Sequence, residues 1–345
     1  MNKKNNLLGI IILLIATITI LVGYNYYSKI YNPNIKKTSF IYIPTNTSIE
    51  ELTTILNPLL ENTKSFNWVA TKKQYSHKIR AGKFSVTRGM NNNDLVNLLR
   101  SGKQSPVKLS FNNQHRLEYL AGRISKQIEP DSLSLLKAFR NPSFLENNKF
   151  TLETALAMYI PNSYEVYWNT SAKGFRNKML KEYNVFWNKK RKAQAKAQKL
   201  TPIEVSSLAA IVQKETANIN ERPIVAGLYL NRYHHQWPLQ ADPTVIFSLK
   251  QKYGQNFEVK RVLLADLKIN SLYNTYKHRG IPPGPIAMPD ISSIEAVLNP
   301  KKHNYYYMCA SIENIGTHAF ASNLSEHNRN AQRYQRWLSK QGVNR

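Results

Sequence analysis

Several features that define common enzyme classes are missing from this chain of 345 residues. It has one cysteine, Cys309, so no disulfide can form within the chain. Its eight histidines show no H-E-x-x-H or comparable spacing, which disfavours a catalytic metal. It also has neither a G-x-S-x-G nucleophile motif nor a glycine-rich phosphate loop, which disfavours acyl transfer and nucleotide chemistry. We therefore predict no metal and no cofactor.

Acidic residues are also scarce, at 21 against 48 lysines and arginines, which leaves a formal net charge of +27. This excess predicts a polyanionic partner, either nucleic acid or the anionic polymers and lipids of a cell envelope. The positive charge is spread along the chain without a nucleic-acid-binding signature, so we predict no nucleic acid partner. The most basic run, NKKRKAQAKAQK, is then a solvated helical face.

An uncharged apolar run, residues 7–24, is about long enough to cross a bilayer, and no A-x-A-like cleavage site follows it. It predicts a single-pass membrane anchor, with residues 1–6 as a cytoplasmic tail and the rest of the chain outside. A cleaved signal peptide is the alternative. Residues 25–39 lack periodicity and contain a proline, which predicts a tether.

Beyond the tether the pattern predicts an α+β protein with a small βα module at residues 40–105 and a larger mixed α+β domain at residues 106–345. The strand FIYIP precedes a helix whose capping box begins at Ser48. A second strand, HKIRAGKFSV, precedes the helix DLVNLLRSG, with Asn93 as its N-cap and Gly102 as its C-cap. Cys309 lies in NYYYMCAS, a run with strand character, and is predicted to be a buried small hydrophobe.

One carboxylate, Glu215, stands out on the predicted inward face of a helix that begins with the capping box at Thr201. At 100° per residue, Glu215 falls in the apolar arc, while Ser206, Ser207 and Gln213 fall opposite. Such a carboxylate needs either a buried cation, for example Arg222 or Arg232, or a raised pKa and a use for its proton. Periodicity alone leaves both possibilities open.

Three motifs then point to a known family: AIVQKETANINERPIVAGLYLNRYHHQWPLQADPTVIF, LYNTYKHRGIPPGPIA and GTHAFASNLSEHN. With them, the chain resembles the endolytic murein transglycosylase (YceG-like) family from about residue 40 to its end. The resemblance implies a LysM-like module before a catalytic domain that cleaves peptidoglycan glycan strands without water, leaving 1,6-anhydro-muramic acid ends. It also implies peptidoglycan and the inner membrane as partners, and cell-wall synthesis or division proteins are further candidates.

The family's E-K-E-T pattern places its catalytic glutamate at Glu215, while Gln213 replaces the first acid, on the polar side, where we expect little effect. Eight further residues are candidates for substrate binding: Gln240, Asp242, Thr244, Asn274, Thr275, Tyr276, His318 and His327. Each has a structural alternative, and for Asp242, which precedes a proline, that alternative is a turn. The proline-rich GIPPGPIAMP predicts a rigid cleft wall, with a plain surface loop as its alternative.

The resemblance implies that Glu215 protonates the leaving oxygen of the β-1,4 bond between muramic acid and glucosamine. The substrate's own 6-hydroxyl then attacks, and the same carboxylate accepts its proton. Two alternatives remain: a muramidase that admits water, and a noncatalytic peptidoglycan-binding protein. Product analysis distinguishes the muramidase from the lytic enzyme.

Overall fold

The computed structural model describes residues 3–341 of the chain. Its helices and short strands confirm the predicted mixed α+β class. The chain divides into two compact units. The first contains the residues up to Leu109 together with Lys126–Pro130 and Tyr164–Ser171, and the second contains Ser110–Ser125, Asp131–Ser163 and the chain from Ala172 onward. The division therefore differs from the single boundary at residue 105, because two short segments of the later sequence return to the first unit.

The first unit begins with α1 (Lys3–Tyr31), whose apolar part is long enough to cross a membrane and packs against no other part of the described chain. The helix continues to Tyr31, so the prediction of a tether is wrong for residues 25–31. It continues because its end packs on the unit. The rings of Tyr26 and Trp68 stack with centroids 5.3 Å apart, and Asn92 Nδ2 donates to the Lys29 carbonyl at 2.8 Å. Residues 1 and 2 of the predicted tail lie outside the described residues.

The rest of the first unit surrounds one apolar core. Strands β1 (Ser39–Ile43) and β2 (Gly82–Val86) pair antiparallel, with Ser39 opposite Val86. Between them lie α2 (Ile49–Leu56) and α3 (Thr63–Lys72), and α4 (Asn92–Ser101) follows β2. The sequence pattern predicted two of these three helices, and α3 is the one that it did not predict.

Helix caps in this unit test the sequence predictions directly. The capping box at Ser48 is present, and Gly102 ends α4 with a φ of 70°, a left-handed conformation that glycine adopts readily. The N-cap of α4 is Asn91, so the prediction of Asn93 is wrong by two residues. Asn91 accepts the Asp94 N–H, which satisfies one of the free donors of the first turn.

The second unit is built mainly from helices. Strands β3 (Val107–Phe111) and β4 (Asn162–Val166) pair with each other. A hairpin near the end of the chain pairs β5 (Tyr307–Ala310) with β6 (His318–Ala321), and Cys309 is half-buried in β5. The helices are α5 (Leu117–Ser125), α6 (Ser132–Phe139), α7 (Pro142–Asn147), α8 (Ala172–Phe186), α9 (Lys189–Ala197), α10 (Pro202–Glu215), α11 (Arg222–His234), α12 (Asp242–Tyr253), α13 (Ile291–Leu298) and α14 (Leu324–Lys340).

Helix α10 is the centre of this unit and packs against α9, α11, α12 and α13. Its capping box at Thr201, with Pro202 in the first turn, confirms the predicted start. The predicted polar face is wrong, because Ser206 and Ser207 are buried. Each serine hydroxyl donates to the carbonyl four residues earlier, which removes most of the cost of burying it.

Candidate active site

Glu215 is the last residue of α10 and is half-buried. Its Oε1 accepts a 2.7 Å hydrogen bond from the hydroxyl of Tyr229, a buried residue of α11. The packing of α10 against α11 brings the two side chains together. Glu215 thus has one firm partner and keeps part of its surface open to solvent, where a substrate can reach it.

Burial raises the pKa of Glu215 to about 7, because the charged carboxylate loses hydration. The Tyr229 hydrogen bond and the positive charges of His318 and Arg232 lower this pKa, while the negative charge of Asp242 raises it. Loss of hydration is the largest of these effects. At neutral pH the carboxyl group is therefore protonated in a large fraction of molecules, as a general acid requires.

The alternative of a structural salt bridge to Glu215 is wrong within the described residues. The Arg222 guanidinium lies 3.5 Å from the Asp290 carboxylate and donates to the Ser292 hydroxyl. Arg232 donates to two backbone carbonyls, at 2.6 and 2.7 Å. Both arginines thus have other partners, and Arg232 influences Glu215 only through its charge.

Asp242 is the second carboxylate of the site. It is exposed in the first turn of α12, so the prediction of a turn is wrong, and it accepts a 2.5 Å hydrogen bond from the Tyr276 hydroxyl. Asp242 can precede Pro243 here because both lie in the first turn of α12, where the missing N–H of proline would have no partner within the helix. Its negative charge raises the pKa of Glu215, so the two carboxyl groups influence each other.

Three candidate substrate ligands lie in the interior and support the loop around Asp242. Thr244, Asn274 and Thr275 are at most 2% exposed. The Thr275 hydroxyl accepts the Ala241 N–H at 3.0 Å and lies 2.8 Å from the Thr244 hydroxyl. The Asn274 amide donates to two carbonyls of the preceding loop. We therefore assign these three side chains to holding the loop in place instead of contacting a sugar.

Gln240 and Tyr276 remain accessible to a ligand. The Gln240 side chain is exposed, its φ is 52°, and its N–H donates to the Thr275 carbonyl at 3.1 Å. Tyr276 is half-buried, and burial followed by the Asp242 carboxylate raises the pKa of its hydroxyl well above the usual range. The hydroxyl therefore stays protonated and orients Asp242.

The two candidate histidines have different surroundings. His318 Nδ1 lies 3.0 Å from Glu221 Oε2, and the backbone N–H of His318 donates to Oε1 of the same carboxylate at 2.6 Å. His327 stacks on Tyr307 with ring centroids 5.3 Å apart, and burial followed by the charge of Arg232 lowers its pKa. His318 acts on Glu215 through its charge, whereas the described contacts of His327 are structural.

Gln213 does not lie on a free polar face. Its side-chain oxygen accepts the backbone N–H of Asp290 at 2.5 Å and lies 3.4 Å from the Ser293 hydroxyl. Asp290 is the N-cap of α13, so Gln213 joins α10 to the first turn of that helix. A neutral amide oxygen suffices for these two contacts.

The segment GIPPGPIAMP is irregular and mostly buried, so a plain surface loop is wrong. Pro285 lines one cavity and Ile286 lines another, and a rigid wall of the active-site cleft stays a prediction. Gly284 is required here because a Cβ atom would overlap the Glu153 carbonyl.

Two residues of the site, Tyr229 and Glu221, were not predicted. Tyr229 lies at helical spacing among apolar residues, a pattern typical of a core aromatic residue. Glu221 precedes α11 in an otherwise polar loop. No local signal distinguishes either residue. Within residues 3–341, no group of three or more potential metal-ligating side chains comes together.

The known proteins that this chain resembles all bear the name of one family or of one activity. A profile of the YceG-like family matches residues 41–333. An endolytic murein transglycosylase of Bacillus subtilis is 28% identical over 321 residues, covering 87% of this chain and 85% of the relative. The Streptococcus pneumoniae protein of the same name is 25% identical, covering 89% and 61%. The crystal structure of a YceG-like protein from Listeria monocytogenes is 27% identical, with a TM-score of 0.55 and coverage of 85% and 98%.

Proposed function

Since the chain belongs to the YceG-like family, we propose that it is an endolytic murein transglycosylase, a lyase that cuts peptidoglycan glycan strands internally. The observation that carries the proposal is the environment of Glu215. Its carboxyl group is half-buried, hydrogen-bonded by Tyr229 and able to hold a proton near pH 7. A noncatalytic binding protein has no use for such a group.

The proposed reaction uses the carboxyl group of Glu215 twice, first as an acid and then as a base. Protonated Glu215 gives its proton to the glucosamine O4 as the bond from that oxygen to the muramic acid C1 breaks. The muramic acid 6-hydroxyl then bonds to C1, and its proton returns to Glu215. The balance leaves a 1,6-anhydro-muramic acid end, consumes no water and restores the acid.

In this scheme Asp242 supplies a negative charge that opposes the positive charge developing at the muramic acid C1. Held by the Tyr276 hydroxyl, its carboxylate stabilises the positive charge that develops at C1 and keeps the Glu215 proton in place before the reaction. The same observation supports a second candidate, a muramidase. A second carboxylate is what an enzyme needs to activate water. The two reactions differ in their products.

We further propose that α1 is an uncleaved anchor in the cytoplasmic membrane and that both units lie on its outer side, where peptidoglycan is found. The length and apolar surface of the span support this location. We propose that the first unit is LysM-like and retains glycan, and that the net charge of +27 favours the anionic envelope. Termination or trimming of nascent strands is the role we propose for the cleavage.

The test is product analysis in water enriched in heavy oxygen. Full-length protein in detergent should release fragments that end in unlabelled 1,6-anhydro-muramic acid, identified by mass spectrometry. Glu215→Gln should reduce the rate at least about 100-fold, since it removes acid catalysis. Glu258→Gln, the same change at an exposed position, should retain wild-type rates. Labelled reducing ends would identify a muramidase instead, and full activity of a folded Glu215→Gln protein would refute the proposed acid.

A further inference from the structure

Two contiguous cavities lie beside the candidate active site in the second unit. The larger, of about 460 Å³, and the smaller, of about 280 Å³, share a wall that includes His115, Phe247 and Lys250, and we call the pair the basic groove. The smaller cavity is also lined by Lys214 and Pro243. These are sequence neighbours of Glu215 and Asp242, so the smaller cavity is lined from the same stretches of α10 and α12 that carry the two carboxylates.

Positive charge dominates the lining of the groove. Four basic side chains line it together with two carboxylates, Glu118 and Glu153; the basic side chains are Arg116, Arg140, Lys214 and Lys250. Glu118 Oε1 accepts from both arginines, at 2.9 Å from Arg116 and 2.5 Å from Arg140. A single carboxylate thus pairs with two guanidinium groups, each of which has five donors. Most of their N–H groups remain available to an anion.

The two lysines have no carboxylate in an ion pair with them in the part of the chain that the structure describes. Burial and the charge of Lys250 lower the pKa of Lys214, and Asp290 only partly opposes this. Burial, followed by the charges of both lysines, also lowers the pKa of His115. The cations therefore repel one another, and an anion in the groove would relieve that repulsion.

Given the proposed function, we propose that the basic groove binds the carboxylates of a stem peptide attached to a muramic acid near the cleaved bond. The sugar rings carry no charge, and a muramic acid without its peptide keeps only the one carboxylate of its lactyl group, whereas the stem peptide carries free carboxylates farther from the sugar. Arginine forks bind carboxylates in bidentate geometry. The rings of Phe247 and Tyr273 line the same space. They provide apolar contacts for the short side chains that lie between the carboxylates of the stem peptide. The volume of the groove is that of a small-ligand site.

Attachment explains why an acidic peptide is favoured over a separate polyanion. The groove is lined from the same turn of α10 that carries Glu215, so we propose that a substituent of the bound sugar enters it without a second binding event. The proposed ligand increases the effective concentration of the reacting strand at the acid. The enzyme would therefore prefer strands that still carry their peptides over strands from which an amidase has removed them.

The experiment compares kcat/KM on peptide-bearing and peptide-stripped glycan strands, using full-length protein. Lys250→Gln should lower the ratio of the two values about 5- to 10-fold, as expected for one charge-assisted contact that is partly open to solvent. Arg140→Gln combined with Lys250→Gln should lower it further. The matched control is Lys252→Gln, which removes the same charge from the same helix outside the groove and should keep the wild-type ratio.

Binding to the Glu215→Gln protein distinguishes this proposal from the proposed function. Free stem peptide should bind that inactive protein and should bind its Lys250→Gln derivative more weakly. An unchanged ratio in Lys250→Gln, or competition by inorganic polyphosphate but not by stem peptide, would overturn the peptide groove. Neither result bears on the role of Glu215, which is decided by whether Glu215→Gln still cuts stripped strands.

Discussion

Replacing Glu215 by glutamine should stabilise the protein at alkaline pH while it abolishes the activity. The pKa of Glu215 is about 7 in the folded protein, against an ordinary value of 4.5. Between these pH values the unfolded chain releases the proton and the folded protein keeps it. The free energy of unfolding of the wild type therefore falls as pH rises from about 4.5 to 7, and the loss remains complete above that range.

The magnitude follows from this difference in pKa. A change from 4.5 to about 7, at about 1.4 kcal/mol per pH unit, gives a loss on the order of 3 kcal/mol. Residual contact with solvent makes this an upper figure. Glutamine has no proton to release, and its amide oxygen can still accept the Tyr229 hydrogen bond. The variant should therefore exceed the wild type by less than about 1 kcal/mol near pH 5 and by about 1–3 kcal/mol at pH 8.

The assay is unfolding in urea at pH 5 and pH 8, for the wild type, Glu215→Gln and the exposed control Glu258→Gln. The decisive quantity is the change, between the two pH values, in the stability difference between each variant and the wild type. Glu258→Gln should show almost no change. Equal stability differences at both pH values for Glu215→Gln would show that the folded protein does not hold this carboxyl group at a raised pKa.

Three other substitutions test the arrangement around the acid and the anchor. Tyr229→Phe removes a hydrogen bond that lowers the pKa of Glu215, so the alkaline limb of the pH–rate profile should move up by somewhat less than one pH unit, about 1 kcal/mol. Asp242→Asn removes a charge that raises this pKa, so the limb should move to lower pH, with a smaller rate loss than in Glu215→Gln. A limb that stays in place would contradict either prediction. Trp68→Ala removes the stack on Tyr26, worth about 1 kcal/mol, and limited proteolysis should then cut residues 25–31 faster than in the wild type. Unchanged cleavage would show that the stack does not hold the helix end.

Local signals account for the parts of the fold that the sequence predicted. The capping boxes at Ser48 and Thr201 and the left-handed Gly102 each depend on residues within one helical turn, and all three are present. The extension of α1 to Tyr31 depends on Trp68, about forty positions later. A pattern restricted to neighbouring residues carries no information about that contact.

The candidate site also has one part that the sequence predicts and another that depends on how the helices pack. Glu215 was identified from its motif, although the apolar arc alone was weak support, since α10 is buried even at Ser206 and Ser207. Its partner Tyr229 depends on how α10 packs against α11, and Asp242 acts on it from α12. Thr244 and Thr275 match the motifs because they hold the loop, a role that sequence similarity cannot distinguish from contact with substrate.

The continuity of α1 determines how its apolar part, which we propose as the membrane anchor, and the rest of the first unit are coupled. A flexible tether would average out small changes in its length. A helix transmits them, because each residue added between Tyr24 and Tyr26 would shift the rest of the unit by about 1.5 Å along the axis of α1 and turn it by about 100° around that axis. Each inserted residue therefore changes the position of the unit along the helix axis, and its orientation around that axis, by a fixed step. Seven added residues, close to two turns, would raise the unit by about 10 Å and nearly restore its original facing.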